Sequence, residues 1–172
     1  MSKIIIVDEN DNPIGFRERM ERGDTDIARV TGLCVYNAKR EVLIAQRVFT
    51  KRYDPGKWGP AVSGTVEEGE TYESNIIKEA MEEIGLPVDA SKLVTDSHRL
   101  AIGQHHYFRQ MFYYQCDWPI EKFKIEEKEV AQIRWINIGE LAAQVKEHPE
   151  NFIASFTNTY SIVPEFAEFL GL

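Results

Sequence analysis

The chain has 172 residues, of which 43% are hydrophobic and 28% are charged, and these proportions are typical of one water-soluble globular domain, here spanning residues 1–172. Its formal net charge of −8 argues against a nucleic-acid polymer or an anionic membrane as the main partner, because both require a cationic face. No apolar run approaches the ~20 residues that a membrane-spanning helix needs, so no membrane partner is expected.

The first part of the chain predicts antiparallel strands that are joined by polar turns. Turn-forming residues at 9–12 lie between two apolar runs, which predicts a β-hairpin within residues 1–24 that packs on the core. The highly charged segment 17–24 predicts a connecting loop or a short helix. Segments rich in β-forming residues predict the strands. These strands cover residues 3–8, 13–16, 28–36 and 41–47.

A helix is predicted between Thr71 and Gly85. Thr71 is a suitable N-cap with acidic residues in the following turn, and Gly85 can end the helix in the left-handed conformation before Pro87 prevents its continuation. Apolar residues recur at helical spacing and are expected to pack inward. These residues are Ile76, Ile77, Ala80, Met81 and Ile84.

The remainder of the chain predicts three more strands and two helices. Asn137 can cap a helix over 140–147, and a last helix is predicted over 161–170. The strands are predicted over residues 93–101, 105–118 and 130–138, with loops at 102–104 and 119–128. Cys34 and Cys116 follow no metal-ligand spacing and are predicted to be buried thiols of a cytoplasmic protein. Together these elements predict a layered α/β domain.

The polar face of the central helix carries three glutamates. Glu79, Glu82 and Glu83 stand at i, i+3 and i+4, so they lie on one side of the helix. Their like charges repel, whereas a divalent cation removes this penalty, and carboxylate oxygens are ligands that Mg²⁺ prefers. Glu70 and Lys78 accompany the cluster. A solvated acidic surface is the commoner role of such a face, so the surrounding spacing decides between the two interpretations.

That spacing resembles the Nudix box, a pattern of glycine, glutamate and aliphatic residues at fixed positions. The matching residues are Gly64, Glu70, Glu79, Ala80, Glu82, Glu83, Gly85 and Leu86. Lys78 departs from the pattern, which has arginine at this position. The N-terminal hairpin, the segment 51–58 and the ending after Trp135 also resemble the Nudix branch that is similar to isopentenyl-diphosphate isomerase. The resemblance implies an α/β/α sandwich around a mixed central sheet.

The same resemblance implies a Mg²⁺-dependent pyrophosphohydrolase, with Mn²⁺ as an alternative metal. The metal ligands that it implies are the Gly64 carbonyl and the carboxylates of Glu79, Glu82 and Glu83. Glu82 is the first candidate for the general base and Glu129 is the second, so the implied catalytic residues are Glu82, Glu83 and Glu129. Two loop carboxylates compete with Glu129, namely Glu126 and Glu127.

Cationic and aromatic residues outside the box are candidates for substrate binding. The candidates for holding phosphate groups are Arg47, Lys51, Lys57 and Arg109, with Arg52 beside them. A solvent-facing charge is nevertheless the commoner role of any one of them. The candidates for stacking on a planar base are Tyr53, Trp58, Phe108 and Tyr113, although core packing is favoured for most of these aromatic residues.

Two alternatives to a hydrolase stay open. The isomerase has a catalytic cysteine and a metal-binding histidine where this chain has Ser63 and Thr65, which argues against isomerase activity. A non-catalytic nucleotide-binding module is the other alternative, and Lys78 is the feature that favours it. The preferred substrate is a nucleoside di- or triphosphate, or a nucleoside diphosphate linked to another moiety, while prenyl diphosphates remain open. The resemblance also allows a homodimer, although no segment fixes an interface.

Overall fold

Nine strands form one mixed sheet in the computed structural model, which describes residues 3–102, 105–157 and 162–171. The strands are β1 (Lys3–Val7), β2 (Pro13–Glu18), β3 (Ile27–Tyr36), β4 (Glu41–Arg47), β5 (Trp58–Pro60), β6 (Val62–Thr65), β7 (Val94–Ala101), β8 (His106–Gln115) and β9 (Val130–Asn137). Within this part of the chain, the α-helices are α1 (Tyr72–Ile84), α2 (Ile138–Glu147), α3 (Ala154–Thr157) and α4 (Ile162–Phe169).

Strand β3 is the centre of the sheet because both of its edges are paired along most of its length. One edge runs parallel to β8, from the pair of Ile27 with His106 to the pair of Tyr36 with Gln115. Along the other edge, β1, β6 and β4 follow one another as antiparallel partners. The N-terminal hairpin of β1 and β2 is therefore continuous with the main sheet.

The helices cover both faces of this sheet. Leu33 and Val35 of β3 belong to a buried cluster that includes residues of α1. Cys34, which lies between them and points to the opposite face, belongs to a second buried cluster that includes residues of α2, α3 and α4. This alternation confirms the predicted α/β/α sandwich with a mixed central sheet.

Helix α1 begins and ends where the sequence predicts. The Thr71 side chain accepts a hydrogen bond from the Ser74 amide and the Ser74 hydroxyl oxygen accepts one from the Thr71 amide, which forms a capping box. Gly85 ends the helix with φ of 65°, in the left-handed region. A side chain at Gly85 would also bring its Cβ to 3.0 Å from the Cβ of Lys124, so a glycine suits both the conformation and the contact.

One prediction for the inner face of α1 is wrong. Ile76, Ala80 and Ile84 are fully buried, and Ile77 is partly buried, but Met81 is 51% exposed. Met81 lies about 140° around the helix from Ile76, because each residue adds about 100°. The sheet-facing side of the helix is shared with the partly buried Glu79, Glu83 and the buried Asn75, which displaces the apolar stripe and leaves Met81 in solvent.

Most other predicted elements match the structure. The segment 17–24 completes β2 and then forms a short 3-10 turn at Arg19–Glu21, and α2 begins after Asn137, whose side chain accepts a hydrogen bond from the Gly139 amide. Helix α3 was not predicted. Positions 103 and 104 of the predicted loop, and position 161 of the predicted last helix, lie outside the described residues. None of the described helices is long and apolar enough to cross a membrane.

Candidate active site

A cleft of about 640 Å³ opens where β6 passes into the loop that precedes α1. Six carboxylates line it: Glu67, Glu79, Glu82, Glu83, Glu126 and Glu129. Four cationic side chains line it as well: Arg19, Arg47, Lys51 and Lys78. The backbone of Ser63, Gly64 and Thr65 completes the wall between these groups. The sequence-predicted glutamates of α1 thus share one cavity with cations from three other segments.

Gly64 lies directly against the helix that carries the acidic cluster. It pairs with Thr31 across the β3–β6 ladder, and a Cβ atom added to it would lie 2.6 Å from Cγ of Glu79 and 2.5 Å from Oδ1 of Asn75. Only a residue without a side chain allows the strand and the helix to approach this closely. The carbonyl-bearing backbone of Gly64 and the Glu79 side chain are therefore held next to each other.

Asn75 organises the inner end of the cleft, and the sequence interpretation missed it. Its side chain is fully buried and its Nδ2 donates hydrogen bonds to Glu70 Oε2 at 2.8 Å and to the Thr65 carbonyl at 3.2 Å. Its Oδ1 accepts a hydrogen bond from the Thr31 hydroxyl at 2.5 Å. The sequence signal that could have revealed Asn75 is a polar residue on the apolar side of the predicted helix. A buried side-chain amide must form hydrogen bonds of this kind.

Two carboxylates of α1, those of Glu79 and Glu83, have raised pKa values. Burial, together with the neighbouring Glu79, raises the pKa of Glu83 to about 8, although the Ser63 amide donates a hydrogen bond to Glu83 Oε2 at 3.3 Å. Burial also raises the pKa of Glu79, against the opposing charges of Lys78 and Arg19. Glu82 is exposed on the outer side of the cluster. Two adjacent carboxylates that resist ionisation together favour a cation between them.

Lys78 takes a structural place beside the cluster. Its ammonium group lies 2.9 Å from Oε1 of Glu70 and 3.3 Å from Oε2 of Glu67. The hydrogen bond to Glu70 is the main reason that the pKa of Lys78 is raised. Burial opposes ionisation of Glu70, but hydrogen bonds from the Glu67 amide, Lys78 and Asn75 lower its pKa below the ordinary value. Lysine thus links the two loop glutamates although it lacks the planar fork of arginine.

The opposite wall of the cleft comes from the loop before β9. This loop is attached to the end of α1, because the amides of Lys124 and Glu126 donate hydrogen bonds to the carbonyls of Ile84 and Glu83 at 3.0 and 2.8 Å. Glu129 follows and forms an ion pair with Lys51. Glu126 also lines the cleft, whereas the third candidate of this loop, Glu127, is exposed and is not among the residues that line it.

The structure separates the four predicted phosphate-binding cations into two pairs. Arg47 and Lys51 line the cleft. Lys57 instead forms an ion pair with Asp54 at 3.0 Å, and Arg109 is only 6% exposed and lines a separate cavity of about 150 Å³. Arg19 is the cleft cation that the sequence interpretation missed. It lies in a charged segment with no periodicity, so nothing in the sequence placed it near the box.

The four candidate stacking residues differ in their burial. Tyr113 and Phe108 are buried in the core, as expected for most of these aromatic residues. Trp58 is partly buried under the guanidinium of Arg134, which lies 4.5 Å from its ring centroid. Tyr53 is 46% exposed and is the one of these four that lines a cavity beside the cleft.

The donor set of the cleft fits a hard divalent cation. It offers carboxylate oxygens and backbone next to Gly64, and this is the oxygen chemistry that Mg²⁺ and Mn²⁺ share. Within residues 3–102, 105–157 and 162–171, no three histidine, cysteine, aspartate or glutamate side chains converge as a preformed metal site. In the described part of the chain, the carboxylates of α1 are therefore close together without being arranged as a three-ligand site.

Comparison with known proteins identifies the family. A family model described as the NUDIX domain matches residues 26–156. The chain belongs to the Nudix family. A prenyl-diphosphate phosphatase of Methanosarcina mazei is 30% identical to this Nudix chain over 149 residues, which cover 85% of each protein. An isopentenyl-diphosphate Δ-isomerase of Pectobacterium atrosepticum is 25% identical over 171 residues, which cover 96% of this chain and 93% of the isomerase.

A solved structure shows the same fold. The Nudix chain superposes on DR0079 from Deinococcus radiodurans with a TM-score of 0.76 and 21% identity, over 95% of this chain and 98% of that one. These comparisons confirm the predicted family, its branch near the isomerases, and the prediction of an enzyme of the Nudix pyrophosphohydrolase class.

Proposed function

We propose that this Nudix chain is a Mg²⁺-dependent hydrolase that cleaves the diphosphate linkage of a nucleoside di- or triphosphate, or of a nucleoside diphosphate joined to another moiety. The observation that carries the proposal is the single cleft in which the α1 glutamates face Arg19, Arg47 and Lys51. A diphosphate needs positive charge along its oxygens and a cation between it and any carboxylate. The cationic side chains of the cleft would contact the phosphate oxygens, and its carboxylates would hold the cation.

Four residues would hold the metal in this proposal. They are Gly64 through its carbonyl oxygen, and Glu79, Glu82 and Glu83 through their carboxylates. When bound, Mg²⁺ supplies positive charge that offsets the charge developing on the bridging phosphate oxygen. Mn²⁺ suits the same oxygen donors. The raised pKa values of Glu79 and Glu83 support this assignment, because each carboxylate gains from a nearby cation.

The chain's own residues handle the proton and the phosphates. Glu82 is exposed to the cleft and is our first choice for accepting the proton of the attacking water. Glu129 is the second choice, and it forms an ion pair with Lys51 across the cleft lining. Arg47 and Lys51 are assigned to the phosphate oxygens. Lys57 pairs with Asp54 and Arg109 is buried, so neither is assigned to the phosphate oxygens.

A hydrolysis screen tests the proposal. Purified protein is incubated with Mg²⁺ and a panel of nucleoside diphosphates and triphosphates, dinucleotides, sugar nucleotides and prenyl diphosphates, and the released phosphates are measured. Release that requires Mg²⁺ and falls at least 100-fold in Glu82→Gln or Glu83→Gln supports the assignment. Glu127→Gln is the matched control, because this loop carboxylate is exposed and does not line the cleft.

The same screen separates the alternatives. Tight binding of a nucleotide without release would favour a non-catalytic binding module. Conversion of isopentenyl diphosphate to its allylic isomer, detected by proton NMR, would favour the isomerase. Ser63 and Thr65 argue against isomerase activity, because neither supplies the thiol or the imidazole that the isomerase uses.

A further inference from the structure

A second cavity, of about 330 Å³, adjoins the cleft and is rich in arginine. Four arginines line it: Arg19, Arg22, Arg47 and Arg52. We call this space the arginine cavity. It shares Arg19, Arg47 and Thr65 with the cleft, so a ligand can extend from one into the other. Its volume is at the lower end of the range for small-molecule pockets, which run from about 300 to 1,000 Å³.

The guanidinium groups of the arginine cavity form no direct ion pair with a carboxylate among the residues that the structure describes. Among the described residues, none of its four arginines has a carboxylate oxygen within 4.0 Å of a guanidinium nitrogen. Asp24 is the one carboxylate among the residues that line it. In a chain with a net charge of −8, four guanidinium groups that line one cavity without a direct carboxylate partner suit an anionic ligand.

The arginines differ in what else they bind. Arg22 donates hydrogen bonds to the backbone carbonyls of Asp26 and His106, so it connects the segment before β3 to the start of β8. Arg47 donates from Nε to the Tyr53 carbonyl at 3.1 Å. Arg52 is exposed and its guanidinium lies 5.2 Å from the Tyr53 ring centroid. The hydrogen-bond donors of Arg52 are therefore available for a ligand. Substitution of Arg52 would not remove a hydrogen bond to the backbone.

An aromatic wall bounds the same space. The rings of Tyr53 and His105 meet edge to face with centroids 4.9 Å apart, and both residues line the arginine cavity. Nε2 of His105 is buried and has no hydrogen-bond partner among the residues that the structure describes. A ligand here thus meets guanidinium forks and ring edges, a combination that suits a phosphate on a polar carrier.

An apolar tail does not suit this environment. A prenyl chain in the arginine cavity would cover guanidinium groups without giving them an acceptor, and such burial of unpaired charge is strongly unfavourable. Ile4 and Met20 are the large apolar side chains that line the cavity, and they cannot offset four charges. A ligand group that enters the arginine cavity is therefore expected to be anionic.

We infer that the substrate carries an additional phosphate group beyond the diphosphate that is cleaved, and that the arginine cavity binds this remote phosphate. The inference rests on the proposed function, because it assumes that the diphosphate lies in the adjoining cleft. Arg52 and Arg19 determine the preference for the remote phosphate, since both line the arginine cavity and neither forms a side-chain hydrogen bond to another part of the chain in the described residues. This class includes dinucleotides that carry an extra ribose phosphate and mononucleotides that carry one.

Binding of ligands that cannot be hydrolysed tests the inference without relying on activity. Isothermal titration calorimetry with Mg²⁺ compares AMP with adenosine 2′,5′-bisphosphate, which differ only in one ribose phosphate. The wild-type protein is expected to bind the bisphosphate about tenfold or more tightly, as charge-assisted hydrogen bonds allow. Arg52→Gln is expected to remove most of this difference. Arg40→Gln, which removes an exposed arginine at the β3–β4 turn, is expected to preserve it.

Hydrolysis of a matched pair separates this inference from the proposed function. The probes are NADPH and NADH, whose diphosphates are identical and whose adenosine ribose differs by one phosphate. A higher kcat/KM for NADPH in the wild type that disappears in Arg52→Gln supports the inference. Equal cleavage of both overturns it and leaves the hydrolase intact, as does a preference that Arg52→Gln fails to change.

The remaining outcomes are also decisive. Selective binding of the bisphosphate without hydrolysis of any compound would refute the proposed function while supporting an arginine cavity for phosphate. Equal binding of AMP and the bisphosphate, or binding of neither at millimolar concentration, would overturn the inference. A circular dichroism spectrum of Arg52→Gln that matches the wild type shows that a lost preference does not come from misfolding.

Discussion

Raising the pH is expected to destabilise the metal-free protein through Glu83. Burial and the neighbouring Glu79 raise the pKa of Glu83 in the folded chain to about 8, from an ordinary value of 4.5. Between these two values the folded state binds more protons than the unfolded state, so the free energy of unfolding falls as the pH rises. The stabilising contribution is fully present below pH 4.5 and is lost by about pH 8.

The size of this effect follows from the two pKa values. Each pH unit between them is worth about 1.4 kcal/mol, so Glu83 alone contributes at most about 5 kcal/mol across the interval. Glu79 acts in the same direction because its pKa is also raised by burial. This loss is large against a typical domain stability of about 5–15 kcal/mol. A cation that binds the ionised carboxylates restores stability, so added Mg²⁺ is expected to stabilise the protein far more at pH 8 than at pH 5.

Urea denaturation between pH 5 and 8.5, with EDTA or with Mg²⁺, measures both effects. Glu83→Gln keeps the shape of the side chain and removes the charge, so this variant is expected to be more stable than the wild type at pH 8 without metal and to gain less from Mg²⁺. Glu127→Gln, on the exposed loop, serves as the control. A metal-free wild type whose stability is flat over this range, or whose pH dependence matches that of Glu83→Gln, would refute the reasoning.

Three further predictions concern the frame of the cleft. Gly64→Ala places a Cβ 2.6 Å from Cγ of Glu79, so kcat should fall at least tenfold in a phosphate-release assay while the chain still folds. Asn75→Ala leaves buried partners without their hydrogen bonds and should cost roughly 1–3 kcal/mol in urea denaturation. Ile84→Ala opens a cavity and should cost about 2–5 kcal/mol, whereas Met81→Ala on the exposed side should cost under about 1 kcal/mol. Equal costs for the last pair would contradict the orientation of α1.

The sequence predicted those parts of the fold that local rules determine. Helix α1 was bounded correctly because its N-cap at Thr71 and its left-handed end at Gly85 each depend on one residue's own chemistry. The spacing of Glu79, Glu82 and Glu83 placed them on one face for the same reason. The predicted burial of Met81 is wrong because helical periodicity does not show that polar residues occupy part of the sheet-facing side of α1.

Long-range contacts explain what the sequence could not predict. Asn75 is buried because Thr31, on a strand 44 residues earlier, supplies a hydroxyl for it. Arg19 reaches the cleft because β1 and β2 pair and return the chain there, and no local pattern encodes that position. Arg109 looked like a phosphate-binding cation because charge alone does not reveal burial, and the parallel pairing of β8 with β3 is what encloses it.

The attachment of the loop before β9 to the end of α1 has a mechanical consequence. The amides of Lys124 and Glu126 satisfy carbonyls that the end of a helix otherwise leaves exposed, so both walls of the cleft are anchored to the same helical turn. Fraying of that turn would release the segment with Glu126 and Glu129 together with Glu83. A change in the position of this helical turn is therefore expected to displace the carboxylates of Glu83, Glu126 and Glu129 together.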